Sequence, residues 1–300
     1  MDTPSTDRGS ATGSSLSDDW CAHHFDYLAP DLALNLHETL ATMRERCPVA
    51  HSDQHEGYWV VTGYDDVLRV AQDWQTFSSA HGVSVPERPS SLVAIPEHVD
   101  PPLHRSYKRV INPFFTAAAV APYEAPTRAL VTRLIDDFIE RGSCDFMAEF
   151  ATPFPGLAFF DLVLNAPADQ LLQLNEKAAA VSIPTNPGAR EAVTWMFEWI
   201  ADFVAKRRSE PPRGDVVDAI LAADIDGRPI TETEIVGMIQ LLILGGLETT
   251  AGALGQIMIR FTREPEIPDL LRRRPDLVPE AIEELLRLEP PFIAIARTAM

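Results

Sequence analysis

The residues with the clearest capacity for chemistry are Gly245-Gly246-Leu247-Glu248-Thr249-Thr250, set inside a long apolar run. Glycine in a helix interior costs ~1 kcal/mol relative to alanine, so two in succession ask for a reason. Either a second helix packs closely there, or a ligand approaches the backbone. Thr249 is spaced to donate its hydroxyl to the carbonyl of Gly245, four residues back, which loosens the regular ladder. Glu248 is an acid in an apolar neighbourhood, where charging is costly and proton transfer can be tuned. Gly245, Glu248 and Thr249 are together suited to delivering protons to a small molecule bound beside the helix.

A long helix must carry that group. Thr231 and Glu234 form a capping box, and the helix they open is predicted to run to about Arg263, ~48 Å at 1.5 Å per residue. The rest of the chain reads as mainly helical with short strands near its two ends, an α+β class dominated by helix. Residues 31–46 place Leu34, Leu36, Leu40 and Met43 on a helical stripe; Tyr58-Trp59-Val60-Val61-Thr62 is a strand; Asp65 to Ala71 resumes helical spacing. Residues 80–99, with several prolines and serines, are predicted to be a long irregular loop. Asp100-Pro101-Pro102 is a helix start, and Pro113 is expected to stop that helix. An amphipathic helix follows over 121–141. Two more, broken near Pro153, Pro155 and Pro167, cover 145–180, and another spans about 188–208, its face formed by Trp195, Ile200 and Phe203. Asp226-Gly227 marks a tight hairpin, helices cover 265–273 and 279–288, and Phe292 to Thr298 reads as a strand.

Composition narrows the function classes. A net charge of −19 argues against nucleic acid and anionic membrane surfaces as partners. Residues Ile235 to Ile259 are long and apolar enough to cross a bilayer, but a carboxylate at the centre, Glu248, costs about 3 kcal/mol there. No aromatic or basic flanks mark the ends, so the run is read as a helix through a protein core and no membrane is expected. Three widely spaced cysteines, Cys21, Cys47 and Cys144, form no CxxC motif and fit a reducing compartment; with no secretory signal visible, a cytoplasmic location is expected. Residues 1–19 read as a solvated polar tail, and 20–300 as one domain. All eight histidines lie at or before His104, leaving no HExxH and no triad histidine near the end of the chain. His51 and His55 are four apart but span a turn, and no metal site is assigned to them.

Four motifs in order carry a family resemblance. Gly245-Gly246-Leu247-Glu248-Thr249 resembles the oxygen-binding helix of cytochromes P450; Glu284-Leu285-Leu286-Arg287 resembles that family's ExxR pair, a buried element that stabilises the fold. Asp100-Pro101-Pro102-Leu103-His104 followed by Lys108 is similar to the segment whose His and basic residue contact the haem propionates. Here Lys108 replaces the usual arginine, and a lysine pairs as a point charge rather than bidentately, so Arg109 is a candidate to share the role. Arg297 falls where the family places another propionate-binding arginine. The stretch from Cys144-Asp145-Phe146 to Pro153-Phe154-Pro155 is similar to the bacterial group that hydroxylates camphor and related small molecules.

The resemblance implies a P450-like helical fold around a long central helix, with haem b as cofactor. It implies a monooxygenase that uses O2, a small hydrophobic substrate and electrons from a ferredoxin or flavoprotein. Thr249 and Glu248 would be the proton-handling residues, and His104, Lys108, Arg297 and Gly245 would contact the cofactor. Leu241, Leu244 and Ile293 would face the substrate, under a covering loop at 80–95. The family's axial cysteine would lie beyond Met300, and none of the three cysteines stands in for it, so the fold is expected to be incomplete at its carboxyl end. Without the thiolate, oxygen chemistry should fail. The competing expectation is a non-catalytic haem or hydrophobic-ligand binder.

Overall fold

The computed structural model describes residues 20, 23–86, 94–166, 170–182 and 186–300; the polar tail, the 87–93 part of the predicted loop and Pro167 lie outside them. In chain order the elements are α1 (Pro30–Arg46), β1 (Val49–Ser52), β2 (Tyr58–Val61), α2 (Tyr64–Gln72), β3 (Phe77–Ser78), α3 (Leu103–Ile111), α4 (Ala117–Val120) and α5 (Glu124–Ile139). Then come α6 (Pro153–Phe159), α7 (Leu171–Ser182), α8 (Ala189–Ser209), α9 (Val216–Leu221), β4 (Asp224–Ile225), β5 (Arg228–Pro229), α10 (Glu232–Arg263), α11 (Glu266–Arg273), α12 (Val278–Leu288) and β6 (Thr298–Ala299). The chain divides into two compact units, Met1–Glu87 with Ala294–Met300, and Arg88–Ile293.

In the first unit, β1 and β2 pair antiparallel with His51 opposite Trp59. One face of α1 covers them through Leu32, Leu36, Leu40 and Met43, spaced at i,i+4 and i,i+3. Leu34, expected in that stripe, is exposed; it lies about 200° around the helix from Leu32, whose side chain takes the buried place. The predicted strand at 292–298 shrinks to Thr298–Ala299, which pair with β3. A strand persists only where a neighbour supplies ladder partners, and before Thr298 the segment is joined to this unit by the Ala296 N–H, which donates to the Val83 carbonyl (2.8 Å).

The second unit is built around α10. Ile235, Met238, Ile239, Ile243 and Leu247 recur at helical spacing, all almost fully buried. They pack with Leu174 and Ala178 of α7 and Met196 and Ile200 of α8 into one core. Each such aliphatic side chain contributes roughly 1.5–3 kcal/mol by leaving water. The reading of 235–259 as a core helix therefore holds for its first half. The capping box at Thr231 and Glu234 is formed, with both reciprocal bonds present. Asp226 (φ 53°) and Gly227 (φ 90°) make the two-residue turn joining β4 and β5, where left-handed backbone suits Asp and Gly.

Two proline expectations are revised. Pro153 and Pro155 open α6 rather than break a helix, because a first-turn residue has no intrahelical use for its N–H. Pro113 tightens the end of α3 into a 3-10 turn, Asn112–Phe115, instead of stopping it outright. Helix α3 begins at Leu103 with Pro102 at its N-cap position, and the Asp100 carbonyl accepts the His104 N–H (3.1 Å). The described end of the predicted loop is packed: Ala94 and Ile95 are buried, and the Ile95 N–H reaches the Gly237 carbonyl at 3.3 Å.

Candidate functional site

The middle of α10 is where the two adjacent glycines part company. A Cβ on Gly246 would lie 2.6 Å from the Phe159 ring, so this glycine lets α6 pack tightly against α10. A Cβ on Gly245 would meet nothing within 4 Å. Close packing and backbone exposure, posed as alternatives from the sequence, are both present, one at each residue. On the open side, the Thr249 hydroxyl donates to the Gly245 carbonyl at 2.9 Å, as its spacing predicts. Glu248 is half-buried, and its Oε1 is sealed from solvent. Leu244 is buried and Leu241 half-buried along the same helix. Ile293 is exposed, since residues 291–297 form no strand that would hold it against a neighbour.

Helix α3 presents His104 and Lys108 one turn apart, both half-buried. Burial lowers the His104 pKa, and the Lys108 and Arg105 charges lower it further, so the ring is neutral at pH 7. A neutral imidazole and an ammonium side by side form a donor pair for a carboxylate, with Lys108 carrying the charge. Among the described residues Lys108 forms no ion pair. Arg109 is committed elsewhere: its guanidinium donates to Asp226 (2.9 Å) and to Ser106 Oγ (2.9 Å), which removes it from the shared role considered for it. Arg297, in the other unit, donates to the Ala296 carbonyl (2.8 Å) and among the described residues forms no ion pair.

The residue that positions α3 was read from the sequence only as half of a capping box. Glu234 accepts the Tyr107 hydroxyl of α3, the Arg228 guanidinium of β5 (2.8 Å) and the Thr231 N–H (2.8 Å) at the start of α10. Arg228 holds the Glu234 carboxyl far below the usual carboxylate range, against the opposing effect of burial. Burial, then Glu234 itself, push the Tyr107 phenol up to about 12. Ser106, buried beside Tyr107, donates to Asp226 at 2.7 Å, so two neighbouring α3 residues are clamped to the β4–β5 hairpin and the start of α10. An Arg207 that is 3% exposed does similar work between α8 and α9, bonded to Asp215 (2.8 Å) and Asp218 (2.7 Å). A carboxylate three residues after a Thr signals a cap; its tertiary partners leave no sequence signature.

The Glu284–Arg287 pair is made, with two bonds of 2.7 Å, but on the outside of α12 rather than buried. Leu285 takes the inward direction, and residues at i and i+3 flanking it face solvent. Just past the same end of α12, Glu289 is tied back to α10 by Arg260 at 2.7 Å. Of the cysteines, Cys47 is half-buried at the end of α1 with its thiol against the Val49 carbonyl (3.2 Å), Cys144 is exposed, and Cys21 lies outside the described residues.

The residues present fit a haem. Within the second unit, Lys108 is a cation without a carboxylate partner among the described residues, it has a neutral donor beside it, and the Gly245 face of α10 is open.

No family model matches the chain. It is similar to the probable cytochrome P450 127A1 of Sinorhizobium fredii, 32% identical over 239 residues, 77% of this chain and 56% of that protein. It is 30% identical to a steroid C26-monooxygenase of Mycobacterium tuberculosis, over 85% of this chain and 69% of that one. The crystal structure of cytochrome P450 CYP101C1 superposes with a TM-score of 0.79 at 27% identity, covering 92% of this chain and 69% of the other. The chain thus spans a little over half to about two thirds of the length of these relatives. Ordered motifs, the helical fold around α10 and these similarities agree: the chain belongs to the cytochrome P450 family, whose members carry haem b.

Proposed function

We propose that the protein is a haem-dependent monooxygenase that inserts oxygen from O2 into a small hydrophobic substrate, in the cytoplasm, with electrons from a ferredoxin or flavoprotein. The observation that carries this reading is the Thr249 hydroxyl bonded to the Gly245 carbonyl on an otherwise open face of α10, with Glu248 the preceding residue in the chain. Bound haem supplies the reductive activation of O2. His104 and Lys108 would hold a haem propionate, a role the family resemblance also gives to Arg297. While Thr249 Oγ1 donates to Gly245, its lone pairs remain an acceptor for a small polar molecule on the open side. Glu248, with one carboxyl oxygen inside and the side chain only half-buried, carries protons from solvent to that hydroxyl. Leu241 and Leu244 would form the apolar side that keeps bulk water away from it, and exposed Ile293 could join them only if a bound substrate or further packing covers it. Apolar lining of this kind selects for size, and one methylene is worth only ~1–3 kcal/mol of preference.

The test is Thr249→Ala in the holoprotein. Electron consumption continues while product falls and hydrogen peroxide rises, measured as the ratio of product to reduced nicotinamide consumed. An unchanged ratio would count against the role of Thr249. In the complete protein, with the family's axial cysteine included, absence of a thiolate-type Soret band in the reduced CO difference spectrum would sink the haem assignment itself.

A further inference from the structure

We infer that the first unit carries a second metal site, for a single Zn2+-class cation, formed by His23, His51 and Asp53. The ligand atoms of these three side chains all lie within 4.8 Å of one another. The Asp53 carboxylate faces both rings: His51 Nδ1 is 3.2 Å from Oδ1 and His23 Nδ1 is 3.6 Å from Oδ2. Both separations exceed the ~2.7–2.9 Å of a charge-assisted hydrogen bond. They lie near the ~3.3 Å that separates neighbouring donors around a tetrahedral ion with metal–ligand bonds of ~2.0–2.1 Å, each ring facing a different carboxylate oxygen. Two imidazoles and one carboxylate are a borderline donor set that suits Zn2+, Co2+, Ni2+ or Cu2+ better than Mg2+ or Ca2+. With three protein ligands, the remaining position is left to water.

The rings are held where a metal needs them. His51 stands on β1 opposite Trp59, whose ring meets it edge-on at a centroid distance of 5.1 Å. On its other side is Gly57, where any Cβ would come within 3.3 Å of His51 Nε2; with φ at +92°, glycine is favoured there on both counts. The Asp53 N–H donates to the His23 carbonyl at 2.9 Å, which ties the segment before α1 to the turn after β1. His55, the histidine that sequence spacing pairs with His51, is turned away and bonds Asp26 at 2.9 Å. Ligands from residue 23 and residues 51–53 would make the ion a staple between that segment and the β1–β2 hairpin, separate from any haem chemistry. Asp53 and His23 are 61% and 48% exposed, so an ion can enter without opening the fold.

The experiment is calorimetric titration of the chelator-stripped chain with ZnCl2. The wild type binds one Zn2+ per chain, and its thermal midpoint rises with added Zn2+. His51→Ala and His23→Ala each weaken binding ~10-fold or more and abolish the thermal rise. Asp53→Asn, an exposed change of nearly the same shape that does not put folding at risk, does the same. His81→Ala, removing an exposed histidine outside the cluster, leaves both readouts at wild-type values. No Zn2+ binding by the wild type, binding that survives Asp53→Asn, or an equal loss in His81→Ala overturns the site.

Discussion

The two halves of α10 read alike in sequence and behave differently in the folded chain. From Ile235 to Leu247 the helix buries eight residues against its neighbours, whereas from Glu248 to Arg263 it buries only Ala251 and Ala253. Met258 and Ile259 are exposed in the second half, as are Leu270 of α11 and Val278 and Ile282 of α12 alongside it. The amino-terminal half is anchored by an enclosed ionic hub at Glu234; near the other half, the comparable pair Glu284–Arg287 stands in solvent. Apolar side chains and Glu–Arg pairs thus carry different weight in the two halves, because energy comes from what is removed from water. Thr249 sits just past the border, on a helix rigid to one side and open to the other.

Glu234→Gln should have the largest effect on that contrast. It removes the charge that Arg228, Tyr107 and Thr231 share, and the second unit should lose about 2 kcal/mol in urea unfolding. The pH dependence has a definite sign. With its folded pKa depressed, Glu234 contributes stability that is complete above its ordinary value near 4.5 and lost as pH falls through the folded value. The Gln variant should therefore lack that part of the acid-induced loss. A wild-type-like midpoint for Glu234→Gln would show that the hub does not anchor the helix.

The adjacent glycines give the next contrast. Gly246→Ala drives a methyl into Phe159 and should destabilise by about 1 kcal/mol, an overpacking cost of ~1–3 kcal/mol offset by better helix propensity. Gly245→Ala meets no atom and should stabilise the cofactor-free chain by ~0.5–1 kcal/mol. Its methyl nevertheless occupies the open face, so haem affinity should fall while the unfolding midpoint rises. If both variants shift the midpoint in the same direction, the two glycines are not doing different jobs. The smallest effect is expected at Glu284→Gln, whose pair is solvent-exposed and should leave the urea midpoint of this chain unchanged.

Much of the site was legible because it rests on short-range spacing. Thr249 to Gly245 is one helical turn, His104 to Lys108 is another, and the Thr231 capping box is a three-residue rule; each is settled by backbone geometry before tertiary structure forms. Misreadings arose where a face had to be chosen. Leu34 and Leu32 are equally apolar, but the i,i+4 spacing from Leu36 and Leu40 puts Leu32 on the face that packs on the β1–β2 hairpin and Leu34 off it. Arg109 and Lys108 are equally basic, and Asp226, more than a hundred residues away, claims the first.

The sequence by itself determined the family, the long central helix and the residues poised along it, since these depend on residue type and local periodicity. Tertiary structure alone decided which glycine opens and which packs, that Glu234 joins three elements, and that His51 faces His23 and Asp53 rather than His55. The physical reason is the same throughout. A local pattern states what a side chain can do, but its energy depends on solvent exclusion and on partners that only the folded chain brings within reach.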